Sequence, residues 1–148
     1  MFVYFIMNII KELLFLIIAF CVGIFFLTYL LNLPGLVTGK QKIVDEYYKT
    51  NFITNVPLDL FFILLYFLVG YCVMILLKVK NHGGKLLTVA VVTALLTGFF
   101  CYYFTSKKMT TSFFSRWFNT VGYSSIIYDV ILLVFIYAVY LFMKDYVN

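Results

Sequence analysis

Four long apolar stretches, separated by short segments of a different rhythm, organise this chain. They cover about Leu13–Leu31, Pro57–Leu77, Leu86–Thr105 and Ile126–Met143. Each approaches the roughly 20 residues that a helix needs to cross the hydrocarbon core of a bilayer. Long unbroken apolar runs do not suit a β-barrel with a polar lumen, whereas helices satisfy their backbone hydrogen bonds internally. The pattern changes from Lys40 to Asn55. Apolar residues at 43, 44, 47, 48 and 52 share one helical face, and Lys42, Asp45, Glu46 and Lys49 take the other, which predicts an amphipathic surface helix. A second such segment, Thr111–Asn119, carries the stripe Phe113, Phe114, Trp117 and Phe118.

The two segments are copies. Residues 43–59 recur at 113–129 with a constant offset of 70. Ile43, Val44, Tyr47 and Tyr48 map onto Phe113, Phe114, Trp117 and Phe118, and Asn55 and Asp59 map onto Ser125 and Asp129. A duplicated module follows, with residues 1–79 as the first copy and 80–148 as the second, each a span, a surface helix and a capped span. A unit with two spans returns the chain to its starting side, so the copies run parallel, related by a pseudo-two-fold axis along the membrane normal. The expected fold is an all-α membrane protein, four transmembrane helices arranged as two parallel helix–surface helix–helix repeats. Both surface helices then lie on one face and both termini on the other. Pro34 and Gly35 end the first span. Asn55 and Ser125 are the expected caps of the second and fourth spans, with Pro57 in a first helical turn. Val79–Lys85, containing Asn81-His82-Gly83-Gly84, reads as a tight turn between antiparallel helices. Met1–Ile10 is expected to belong to one long first helix, because a signal peptide would need a basic start and a small-residue cleavage site.

Composition sharpens this picture. Of 148 residues, 65% are hydrophobic and 11% charged, against about a quarter charged in soluble domains. The net charge of +5 suits contact with anionic headgroups. Lys11, Lys78, Lys80, Lys85 and Lys144 fall on one side, and Lys40, Lys42, Lys49, Lys107, Lys108 and Arg116 on the other. That balance sets no orientation. Cys21, Cys72 and Cys101 all fall within apolar runs, as small buried hydrophobes. Gly23 and Gly98 are small-residue positions for close helix contact.

Chemistry is sparse. Asp59 and Asp129 are the acids inside the spans, each about four residues past its expected cap. There they read as helix-boundary residues that fix depth and pair with Lys49 or Arg116. No Ser/His/Asp set, phosphate loop or His/Cys cluster is present, so neither an enzyme nor a cofactor, metal or small-molecule substrate is expected. A nucleic-acid partner is not expected either. Thr120-Val121-Gly122-Tyr123 matches the start of a potassium-channel filter, T-V-G-Y-G, but Ser124 replaces the final glycine. It supports an alternative reading, a small cation channel or transporter built around residues 120–129.

Glu46-Tyr-Tyr-Lys-Thr-Asn51 with Asn55-Val-Pro-Leu-Asp59, and Trp117-Phe-Asn-Thr-Val-Gly-Tyr123 with Tyr128-Asp-Val-Ile-Leu132, resemble segments of small multi-span virion membrane proteins of nucleocytoplasmic large DNA viruses. The likeness covers about half of the chain. It implies a structural protein of the viral inner membrane, with minor capsid proteins as partners. Its docking face would be Tyr47, Tyr48, Phe113, Phe114, Trp117, Phe118 and Arg116. A hydrophobic subunit of a mitochondrial membrane complex would share the composition.

Overall fold

The structure, a computed structural model, describes the backbone of residues 2–147 and the side chains of residues 6–147. Helix α1 (Phe2–Gly23) runs on through a wider, π-helical stretch, Ile24–Leu30. Short helices α2 (Leu33–Thr38) and α3 (Gln41–Asp45) follow, and α3 widens in the same way over Glu46–Thr50. Then come α4 (Phe52–Leu76), α5 (His82–Thr105), α6 (Phe113–Val121) and α7 (Ser124–Val147). Among the described residues there is no strand, and four helices are long and apolar enough to cross a membrane: Ile6–Leu30, Phe52–Leu76, His82–Thr105 and Ser124–Val147. The multi-pass, all-helical architecture expected from the pattern is therefore present, and the first span is one long helix from Phe2 onward.

Helix boundaries move by a few residues from their expected places. α4 starts at Phe52 after Asn51, so Pro57 lies inside the helix and Asn55 caps nothing. Asn55 is buried instead, and its Nδ2 donates to the Tyr47 carbonyl at 3.3 Å. Ser125 lies inside α7, fully buried, with Oγ donating to the Gly122 carbonyl at 2.7 Å. α5 begins at His82, capped by the Asn81 side chain, which accepts from the Gly84 amide. The expected turn is thus shorter, and Gly83 and Gly84 form the first helical turn. Chain reversal after α1 uses Asn32 in the left-handed region (φ 48°), which Asn tolerates better than most residues. Pro34 and Gly35 then open α2 rather than a loop.

Residues 70 apart in the sequence meet in the packing. A two-fold that exchanges the modules makes the α1–α7 and α5–α4 interfaces equivalent, and both exist. Repeat-equivalent residues also touch directly: Arg116 is bound to Glu46, and the Tyr47 and Trp117 rings lie 5.1 Å apart. The symmetry is approximate. α7 packs closely on α5, whereas α1 and α4 share no comparable interface, so residues 1–79 do not close up as a unit of their own. α3 and α6 meet at one end of the bundle. At the other, Lys144 Nζ lies 2.7 Å from Glu12 Oε1, the Tyr140 hydroxyl donates to Glu12, and His82 Nε2 lies 3.6 Å from Asp145 Oδ2.

The α1–α7 contact turns on one small residue. A Cβ added at Gly23 would collide with Cγ1 of the fully buried Ile136, whereas one at Gly98 would meet Ile126 Cδ1 at an ordinary 3.7 Å. Gly23→Ala is therefore expected to cost about 1–3 kcal/mol through overpacking. Gly98→Ala, which relieves helix-interior backbone entropy, should be neutral or stabilising. Unfolding titrations in mixed detergent micelles, run on the two variants in parallel, check the contrast.

Candidate functional site

Both amphipathic stripes turn inward. Ile43, Val44, Tyr47 and Tyr48 are buried on α3, and Trp117 and Phe118 on α6. Phe113 and Phe114 are half-buried and pack against the same core. The expected docking face of exposed aromatics is thus corrected: an apolar stripe buries as readily against protein as against lipid or a partner, and here the two stripes cover each other. Tyr47 packs at 4.6 Å from Tyr48, 4.9 Å from Phe113 and 5.1 Å from Trp117, in each case tilted rather than stacked.

Beneath the stripes is a cavity of about 150 Å³. α3, α4, α5, α6 and α7 all contribute to its wall. Ten of its fifteen lining residues are aromatic, and the polar positions include Asp59 and Asp129. The repeat-equivalent acids, expected at separate helix boundaries, face one space. Neither pairs with Lys49 or Arg116: Lys49 holds Asp45 at 2.8 Å, and Arg116 holds Glu46. None of the lining residues is Lys, Arg or His.

Hydroxyl groups hold the carboxylates in place. The Tyr47 hydroxyl donates to Asp59 Oδ1. Thr97 Oγ1 donates to Asp129 Oδ2 at 2.8 Å and lies 3.3 Å from the Tyr66 hydroxyl. Threonine has a single hydroxyl proton, and Asp129 receives it, so Tyr66 must be the donor to Thr97. The result is an oriented chain, Tyr66 to Thr97 to Asp129, that joins α4, α5 and α7. A second chain runs from Thr28 to Tyr128 (3.2 Å) to Tyr48 (2.7 Å), and Tyr29 donates to the Tyr48 carbonyl at 2.6 Å. The widened turns of α1 and α3 supply Thr28, Tyr29, Tyr47 and Tyr48, and such wide turns recur at functional sites. Burial, and then the Asp59 charge, push the Tyr47 phenol well above its ordinary range. Burial does the same for Tyr48, reinforced by Tyr128. Both phenols are therefore neutral and supply no counter-charge. Asp59 Oδ2 is sealed from solvent and meets no hydrogen-bond donor among the described residues.

The residues 120–123 do not form an ion filter. Thr120 and Val121 close α6 as helix, Tyr123 is exposed, and the Gly122 carbonyl is taken by Ser125. What remains of the segment at the cavity is Tyr128-Asp129. Sequence reasoning missed Tyr128 and Thr97 as site residues. Thr93 and Thr97, four apart in an apolar run and both buried, were the available signal for a polar inner face.

Outside the cavity, Arg116 grips Glu46 through two bonds, of 3.1 and 2.5 Å. The Arg116 guanidinium holds the Glu46 carboxyl below the usual carboxylate range. With a lowered folded-state value, the tie contributes at neutral pH and is lost only as pH falls below about 4.5. Arg116→Glu is expected to loosen α6 from α3, and the double reversal with Glu46→Arg to restore the unfolding midpoint. Disulfide trapping between cysteines placed on α3 and α6 reads the loosening independently. Compared with protein-family models, curated proteins and solved structures, the chain shows no match.

Proposed function

We propose that this chain is an integral membrane protein that binds a monovalent cation within its helical bundle, a function of the carrier or channel class. One observation carries the reading: Asp59 and Asp129 face the same cavity, and no basic side chain lines it. An ionisable residue within a membrane span points to an ion or proton pathway when no internal partner neutralises it. Here two such residues share one space, and their hydrogen bonds come from neutral hydroxyls. A bound cation, or a proton in its absence, supplies the missing positive charge, so binding should release protons. The experiment is calorimetry on the purified protein with potassium, sodium and tetramethylammonium, in buffers of different ionisation enthalpy, followed by flux measurements in liposomes. Saturable binding coupled to proton release is the expected result. No binding of any of them, from acid to neutral pH, overturns the proposal.

A second reading, the one implied by the likeness to virion membrane proteins, is a structural role with capsid-type partners. The aromatic stripes no longer support it, because they are buried. It draws instead on an open groove of about 470 Å³ bordered by Lys40, Lys42 and Arg116 at the α3–α6 end. Copurification of a partner that is lost in Lys40→Glu/Lys42→Glu would favour this role over the cation function.

A further inference from the structure

Resting on the cation-binding reading, we infer that the occupant is a small organic ammonium ion, of tetramethylammonium or choline type, and not a metal ion or a bare proton. The donor set argues first. Hard cations demand about six oxygen ligands, and the cavity offers two carboxylates whose neighbouring hydroxyls are already bonded to the carboxylates or to each other. Among the described residues no three His, Cys, Asp or Glu side chains converge. The backbone carbonyls of Tyr47 and Tyr48, at the cavity, are already taken by the Asn55 side-chain amide and the Tyr29 hydroxyl.

The walls argue second. An alkylammonium ion is attracted to aromatic faces, best of all to tryptophan, and carries a weakly hydrated apolar surface. Trp117 packs against Tyr47, and Tyr47 against Tyr48, at the cavity, and Phe62, Phe104 and Phe118 also line it. Size agrees: a cavity of roughly 150 Å³ accepts a guest the size of benzene, the class to which tetramethylammonium belongs. The two aspartates add the charge that a neutral guest of the same shape would not need.

Trp117 is the single tryptophan of the chain, so its emission reports on the cavity directly. Tetramethylammonium and choline are expected to produce a saturable change in that emission. The neutral isostere of choline, 3,3-dimethyl-1-butanol, should bind at least roughly tenfold more weakly. Asp59→Asn should lose the response to both ammonium ions while its circular dichroism is unchanged. Saturable binding of potassium or sodium without any ammonium response overturns the ammonium assignment and leaves the cation-binding reading in place. Silence towards all cations, by emission and by calorimetry, overturns both. Equal affinity for the neutral isostere, or a response that survives Asp59→Asn, also rejects the assignment, since the carboxylate would then play no part.

Discussion

Asp59→Asn and Asp129→Asn are each expected to abolish most cation binding while leaving the fold intact. Removing one member of a buried, hydrogen-bonded charge pair costs about 2–5 kcal/mol, a loss of affinity of roughly 30-fold or more. The fold should survive because asparagine keeps an oxygen where the Tyr47 hydroxyl and Thr97 Oγ1 donate. At position 59 it also removes a charge whose Oδ2 is sealed from solvent and has no hydrogen-bond partner among the described residues, so Asp59→Asn should be at least as stable as the parent. The opposite pattern would reveal a purely positional role. If the aspartates only set the depth of their helices, Asn would leave cation binding unchanged and Leu would disturb assembly. Calorimetric titration of the four single variants, with unfolding titrations beside them, separates the two outcomes.

Tyr128→Phe should be the most destabilising removal of a single oxygen in the chain. The Tyr128 ring is almost wholly buried, and its hydroxyl meets Thr28 of α1 and Tyr48 of α3. Without it, two buried hydroxyls lose a shared partner. A buried group left unsatisfied costs about 1–3 kcal/mol. Tyr146→Phe is the control, since Tyr146 is 83% exposed and loses only solvent contact. The difference between the two midpoints in a detergent unfolding titration measures the effect. A Tyr128→Phe variant that unfolds with the parent would mean that the three-hydroxyl chain contributes nothing to the bundle.

Span number and span length were legible in the sequence, because each is local or additive along the chain. An apolar run of membrane length needs no partner to be recognised. The 70-residue offset pairs Glu46 with Arg116 and Asp59 with Asp129 in the sequence, and the structure brings each pair together, the first as an ion pair and the second at one cavity. Helix starts were less legible. Asn51 and Asn55 are equally good caps by residue type, and the choice fell to tertiary packing, which buries Asn55 against the Tyr47 carbonyl.

Only the tertiary structure decided which way the amphipathic helices face and whether the two acids meet. The hydrophobic driving force is non-directional, so Tyr47, Tyr48, Trp117 and Phe118 satisfy it equally well against lipid, a partner or each other. Arg116 and Glu46 bring the two stripes together at repeat-equivalent positions, and the equivalent spans beneath them then turn Asp59 and Asp129 toward one cavity. Thr97, 32 residues from Asp129 along the chain, joins the site through packing of α5 on α7. No spacing within either segment encodes that distance, because it exists only once the helices are side by side.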